Sequence, residues 1–210
     1  MHLPQLDIVG SFVAQLLEWL NQYAYPAEKR FADPDHAREV AGVFVDELLR
    51  NGTTSALVFG TVHAHSADAI FEAAEAKGMR LIAGKVLMDI NCPEELRDDP
   101  ESAYADSKAL IDRWHGKARL GYAITPRFAL TSSEAQLEAA GRLASEHPDV
   151  WVHTHLAENH EEIEDVAQQF PDSRSYLDVY DRFGLLRERS VFAHCLHMDD
   201  TDRRVMAEKG

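Results

Sequence analysis

The stretch WVHTHLAEN, residues 151–159, says more about this chain than any other segment. Its opening residues are typical of a buried strand, and alternate side chains of a strand share a face, so His153 and His155 point the same way. Glu158 follows where the strand ends. A metal ion that activates water needs neutral imidazole ligands and a nearby carboxylate to carry the proton. The segment therefore predicts either such a metal site or two ordinary polar residues at the rim of a sheet.

Composition narrows the class of protein. The chain has 210 residues and 45% hydrophobic content, which suits one domain or one incomplete large domain. Its formal net charge of -15 makes nucleic acid an unexpected partner, because phosphate binding depends on clustered Lys and Arg. No apolar run approaches membrane-spanning length, and no signal-like segment opens the chain, so no membrane partner is expected. Two isolated cysteines, Cys92 and Cys195, favour a reducing cytoplasmic location.

Strand-like and helix-like segments alternate along the chain. Short apolar runs predict strands at 53–60, 79–88, 118–125, 150–155 and 190–194. Amphipathic runs with capping residues predict helices at 34–49, 67–77, 100–114, 133–146, 159–170 and 176–183, and Asp199 opens a last helix. Ser66 is expected to cap the second of these helices. This rhythm predicts an α/β fold with a parallel sheet and helices outside it.

Polar residues at strand ends favour a barrel over an open sheet. His63 and His65 follow one strand, Arg127 another, His155 a third and His194 a fourth. Catalytic groups from several strands converge at the carboxyl-terminal face of a βα-barrel, whereas an open sheet concentrates its site at one switch point. No Gly-rich phosphate motif follows any strand. About five strands are visible where a barrel needs eight, so the sequence predicts part of a (β/α)8 TIM-like barrel.

Several strings together resemble one enzyme family. AITPRFA at 123–129, HLAEN at 155–159, the Ala193-His194 pair and HLPQ at 2–5 are similar to the guanine deaminase family of the amidohydrolase superfamily. The resemblance runs along essentially the whole chain. It implies a distorted βα-barrel that uses zinc, with iron as the alternative metal, and a small-molecule purine substrate, guanine, which is converted to xanthine and ammonia. It also implies a homodimer when the protein is full length.

The resemblance assigns roles residue by residue. It implies that His2 and His155 are metal ligands, that Glu158 and His194 are catalytic, and that Gln5, Arg127 and Phe128 contact the purine. His2 would be the second histidine of a first-strand His-x-His motif, and the metal-binding aspartate of the eighth strand has no counterpart. We therefore expect residues 1–210 to form one incomplete metal-dependent hydrolase barrel, from the end of strand 1 through the helix after strand 6. The N-terminal and C-terminal parts of the family domain would be absent.

Some alternatives remain open at this point. The substrate could be a pterin, a triazine or a pyrimidine, although the Arg127-Phe128 pair argues for guanine. The chain could also be a noncatalytic fragment of such an enzyme. His63 and His65 mimic a metal motif, but a long segment precedes their strand, so a pocket-wall or structural role is preferred. His153 lies one pleat deeper than His155, which favours a packed, hydrogen-bonded residue over a ligand.

Overall fold

The computed structural model describes residues 1–13 and 15–209, and its centre is one parallel sheet. Its strands are β1 Ser55–Phe59, β2 Arg80–Gly84, β3 Val86–Leu87, β4 Leu120–Pro126, β5 Trp151–Leu156 and β6 Ser190–His194. They are ordered β1-β2-β4-β5-β6, with the short β3 paired to β4, and every pairing is parallel. Strands that follow one another along the chain thus lie side by side, as in a βα-barrel.

Helices connect and cover the strands. They are α1 Leu16–Trp19, α2 Tyr25–Lys29, α3 Pro34–Arg50, α4 Ala64–Ala76, α5 Pro100–Trp114, α6 Glu134–Glu146, α7 His160–Gln169, α8 Tyr176–Arg182 and α9 Asp200–Lys209. A π-helical turn at Leu20–Ala24 joins α1 to α2, and 3-10 turns occur at Leu3–Ile8, Arg30–Ala32, Glu94–Leu96 and Ala129–Thr131. Among the described residues, no helix has the length and apolar character needed to cross a membrane.

Capping residues start the longer helices where the sequence predicts. The side chain of Asp33 accepts a hydrogen bond from the Asp35 amide, with Pro34 in the first turn of α3. Ser133 caps α6, and Asn159 caps α7 through a capping box with Glu162. Each cap satisfies a backbone N–H group that has no partner inside its helix. The helix that follows each strand is therefore held in place next to the strand's carboxyl end.

Two predicted boundaries are wrong, both for local reasons. Helix α4 begins at Ala64 with His63 at its N-cap, because the Ser66 hydroxyl bonds the Thr61 hydroxyl and the His63 carbonyl instead of capping a helix. The single strand predicted at 79–88 divides at Lys85 into β2 and β3. Lys85 is buried there and forms an ion pair with Asp98, which an uninterrupted apolar strand would not accommodate.

The first residues of the chain extend the sheet beyond β1. His2 forms an isolated parallel bridge with Phe59, and the Phe59 amide donates to the Met1 carbonyl at 2.9 Å. Met1 and His2 therefore occupy the position of the end of a preceding barrel strand. All seven residues of the central strand β4 are buried, as expected for a sheet covered on both faces. The prediction of a partial βα-barrel is confirmed.

Candidate active site

The carboxyl ends of the strands surround a cavity of about 660 Å³. Its lining includes all seven residues predicted for the site, which are His2, Gln5, Arg127, Phe128, His155, Glu158 and His194. Gln5 comes from the first 3-10 turn, and His2 forms the isolated bridge beside β1. The other five residues lie at or just after the carboxyl ends of β4, β5 and β6. Parallel strands bring their carboxyl ends to one face, so residues up to 192 positions apart in sequence meet in one pocket.

His2 and His155 face each other across this cavity. Their Nε2 atoms lie 2.9 Å apart. Nδ1 of His155 lies 2.7 Å from the Arg127 carbonyl oxygen, so Nδ1–H is the donor and the Nε2 lone pair of His155 faces His2. Burial holds the pKa of both imidazoles well below the usual range, and the Arg127 charge and His153 lower it further. Both rings are therefore neutral, the form in which histidine binds metal ions.

One aromatic ring supports these histidines from behind. The Phe59 ring stacks on His2 at 4.4 Å and on His155 at 4.1 Å between ring centroids. It also stacks on His153 at 3.7 Å. Phe59 ends β1 and is almost fully buried, so its ring has little freedom to move. The sequence analysis did not select this phenylalanine as part of the site; its position near the end of the strand predicted at 53–60 was the only signal.

Glu158 and His194 form a polar pair at the same end of the sheet. Oε2 of Glu158 lies 3.2 Å from Nε2 of His194, and both side chains are partly exposed to the cavity. Burial raises the pKa of Glu158, while the nearby Arg127 charge lowers it. Burial also lowers the pKa of His194. Because both shifts oppose a full ion pair, the carboxyl group is suited to hold a proton and release it again.

The loop that carries Glu158 is fixed by its backbone. The amides of Glu158 and Asn159 donate to Oε2 of Glu162 at 3.1 and 3.2 Å. The Tyr176 hydroxyl donates to the other oxygen of Glu162 at 2.7 Å. Ala157, just before the loop, has a φ of 51°, a left-handed conformation that non-glycine residues rarely adopt. Backbone strain and buried hydrogen bonds together hold Glu158 at the cavity wall.

Arg127 has a partner that the sequence did not indicate. Its Nη1 atom donates to Oε1 of Glu28 at 2.5 Å, and its guanidinium carbon lies 5.4 Å from the centroid of the Tyr25 ring. The next residue, Phe128, is also buried and meets His155 edge to face at 6.5 Å. Arg127 and Glu28 are 99 positions apart in the sequence, so no local pattern could reveal the pair.

The other histidines with strand-end positions lie outside the cavity lining. His65 bonds the Phe31 carbonyl oxygen at 2.7 Å, and its ring stacks on His63. These positions agree with a structural role for the pair. His153 is buried as expected, but its Nδ1 atom has no hydrogen-bond partner among the described residues. Its packing comes from Phe59 instead, so the expected hydrogen bonding at this nitrogen is not found.

The residues present fit one part of a metal site. The Nε2 atoms of two neutral imidazoles lie 2.9 Å apart, and the buried Nδ1 atom of His2 has no hydrogen-bond partner among the described residues. Across residues 1–13 and 15–209, no three His, Cys, Asp or Glu side chains are grouped so as to hold a metal ion. The described residues therefore bring together His2 and His155, and their role as ligands stays a prediction.

A cavity at the carboxyl ends of parallel strands, lined by paired histidines and by a glutamate whose pKa is raised, is suited to hydrolytic chemistry. The chain belongs to the amidohydrolase family, whose family model matches residues 1–210.

Within that family the chain is similar to guanine deaminases. It is 55% identical over 202 residues to the guanine deaminase of Escherichia coli strain K12, covering 96% of this chain and 46% of the relative. The solved structure of the E. coli enzyme superposes with a TM-score of 0.94 and covers 96% of this chain and 47% of that one. A guanine deaminase from C. acetobutylicum, solved with guanine bound in its active site, is 31% identical with a TM-score of 0.95, covering 99% of this chain and 50% of that chain.

A more distant structure contains a metal. An adenosine deaminase from Xanthomonas campestris with bound zinc is 26% identical, with a TM-score of 0.82, and covers 100% of this chain and 46% of that chain. Measured against these proteins, the chain spans about half the length of the curated relatives it matches, with 46% and 47% coverage of the E. coli and human guanine deaminases.

Proposed function

We propose that the protein hydrolyses guanine to xanthine and ammonia. One water adds at C2 of the purine, and the 2-amino group leaves as ammonia. The observation that carries this proposal is a single cavity that is lined both by the Glu158–His194 pair and by Arg127 and Phe128. Its support from relatives is the similarity to guanine deaminases along nearly the whole chain, including one solved with guanine bound.

His2 and His155 would hold the metal cofactor. Amidohydrolase membership and the zinc-bound neighbour indicate a metal, and we propose zinc, with iron as the alternative. When bound, such an ion supplies Lewis-acid activation of water at neutral pH. The two residues contribute neutral Nε2 lone pairs, and the Arg127 carbonyl fixes the ring orientation of His155.

Glu158 is proposed to carry the proton in both halves of the reaction. It accepts a proton from the attacking water and then gives it to the departing amine. Burial raises the pKa of this carboxyl, which brings it closer to the pH at which an acid and a base are equally useful. His194, 3.2 Å away, holds the carboxyl group in position and shares its hydrogen bond.

Three side chains are proposed to orient the base. Arg127 offers only hydrogen-bond donors, so it suits the acceptor atoms on a purine edge. Gln5 has an amide that can both donate and accept, and Phe128 supplies an apolar wall. Holding the ring so that the attacked carbon faces the water contributes to the rate through positioning alone.

The test is a Glu158→Gln variant of the full-length protein. We expect turnover of guanine, followed by ultraviolet absorbance, to fall by roughly 10²-fold to 10⁴-fold with metal content unchanged. Because burial raises the pKa of Glu158, the base form is lost at a higher pH than for an ordinary glutamate. The wild-type kcat/KM should therefore decline on the acid side above the usual range of Glu, and the residual activity of the variant should lack that limb.

An exposed glutamate provides the control. Glu39→Gln on α3 should leave both turnover and its pH profile unchanged. If the wild-type protein deaminates a pterin, triazine or pyrimidine but not guanine, the proposed substrate is wrong. Full activity in the Glu158→Gln variant would overturn the proton carrier.

We also infer that residues 1–210 are part of one barrel domain of a cytoplasmic homodimer. The two free cysteines support a reducing cytoplasmic location, and the homodimer is supported by the family resemblance alone. Light scattering on the full-length protein would test the oligomeric state.

A further inference from the structure

The buried pair Arg127 and Glu28 is the feature of the site that the proposed chemistry leaves unexplained. Arg127 is 2% exposed and Glu28 is 0% exposed. Glu28 lies on the short helix α2, three residues after Tyr25, so both side chains point from the same face of that helix. The carboxylate meets one end of the guanidinium group, and the tyrosine ring lies against it at 5.4 Å.

A buried ion pair is an energetically unfavourable way to fill a core. Removing two charges from water is unfavourable, and apolar residues of similar volume often pack as well or better. The second carboxylate oxygen of Glu28 is buried without a hydrogen-bond partner among the described residues, which adds to that cost. Arg127 itself lines the cavity, whereas Glu28 lies behind it. Burying this ion pair is therefore unfavourable in itself, but it fixes the position of an arginine that lines the cavity.

We propose that Glu28 is a positioning residue for purine recognition, acting through Arg127. By holding Nη1 of Arg127, it fixes the plane of the guanidinium group, while Tyr25 supports one face of that plane. The remaining N–H donors then present a rigid fork to adjacent acceptors, and O6 and N7 of guanine are such a pair. This inference rests on the proposed function, and it adds a residue that does not touch the substrate.

The backbone of Arg127 gives this arrangement a second consequence. Its carbonyl oxygen accepts from both the backbone amide of His155, at 3.2 Å, and Nδ1 of the same residue, at 2.7 Å. The arginine that would orient the base is thus tied directly to a candidate metal ligand. Fixing Arg127 therefore sets the distance between the substrate edge and the metal side of the cavity.

The experiment compares Glu28→Gln with Glu39→Gln in the full-length protein. Gln keeps the volume and one acceptor but removes the charge that opposes free rotation of Arg127. We expect KM for guanine to rise between about tenfold and about 100-fold, since small misplacements of positioning groups cost this much. The change in kcat should be smaller than the change in KM, and metal content should stay close to wild type. The thermal midpoint should fall, because the buried guanidinium loses its counter-charge, so KM is measured at a temperature at which the variant remains folded. Glu39→Gln, an exposed position, should change none of these.

A double-variant cycle separates positioning from a general structural role. In an Arg127→Met background, where no guanidinium remains to orient, Glu28→Gln should alter kcat/KM by less than about twofold. Additive losses in that background, or an unchanged KM in Glu28→Gln alone, would overturn the positioning role. Wild-type protein that does not deaminate guanine at all would overturn the proposed function instead, so the two failures are distinguishable.

Discussion

At the scale of single residues, Phe59 has the widest effect on the candidate metal site. Its ring stacks on His2, His155 and His153, and its backbone amide holds the first residue of the chain. Groups that orient metal ligands without touching the metal change affinity by about 10-fold to 100-fold when they are removed. The orientation of both candidate ligands therefore depends on a side chain that carries no polar atom.

We expect Phe59→Leu to weaken zinc affinity of the full-length protein by roughly tenfold or more, measured by competition with a chromophoric chelator. Phe71→Leu is the matched control, because Phe71 is equally buried but packs against Trp114 and Tyr122, away from the histidines. Both variants should lose stability, but only Phe59→Leu should weaken zinc affinity. Equal zinc affinities in the two variants would show that the stacking has no such role.

Residue types and spacing predicted the convergence of the site but not its supports. His155, Glu158 and Arg127 could be selected because each follows an apolar strand, and parallel strands place those ends together. Glu28 and Phe59 could not be selected in the same way. One lies 99 positions from its partner, and the other has no chemistry of its own, so both roles exist only in the folded chain.

At the scale of elements, close approach between helices depends on one small residue. A Cβ atom at Gly141 in α6 would lie 2.1 Å from the carbonyl oxygen of Phe183, which follows α8. At Gly42 in α3, by contrast, nothing lies within 4 Å of an added Cβ atom. The same substitution should therefore have opposite effects in the two helices.

We expect Gly141→Ala to lower the free energy of unfolding by about 1–3 kcal/mol, because backbone atoms must move to make room. Gly42→Ala should raise it by about 0.5–1 kcal/mol, since alanine loses less backbone entropy in a helix. Urea denaturation measures both. Stabilisation by alanine at position 141 would contradict the packing of α6 against the end of α8.

Element boundaries were predictable where side chains cap helices and unpredictable where short turns follow one another. Asp33, Ser133 and Asn159 mark helix starts correctly because each side chain bonds a free amide. Residues 3–8 and 16–32 form short 3-10, α- and π-helical turns that lack the repeated apolar spacing of a longer helix. Their conformation depends on packing against the barrel, so local pattern does not predict it.

At the scale of the whole molecule, metal affinity depends on how many ligands the fold assembles. The described residues bring two imidazoles together, and a catalytic zinc site ordinarily uses three protein ligands. In a purified chain of only these 210 residues, His2 would lie beside the terminus, where ordering a ligand costs conformational entropy. We expect a purified chain of these 210 residues to bind zinc weakly and to deaminate guanine negligibly, as measured by metal stoichiometry and ultraviolet absorbance. Tight equimolar zinc with steady turnover would contradict this expectation.

The residues with a left-handed backbone conformation determine which substitutions a laboratory selection for stability would favour. Ala157 and His194 adopt positive φ at the ends of strands that line the cavity, whereas Arg189 does so on an exposed loop with a φ of 70°. A selection for heat resistance alone would favour glycine at such positions, because glycine adopts this conformation without strain. At 189 that gain would leave the enzyme's speed intact. At position 157 glycine would make the segment before Glu158 more flexible. Heat resistance would then rise at the expense of turnover at position 157, but without loss of turnover at position 189.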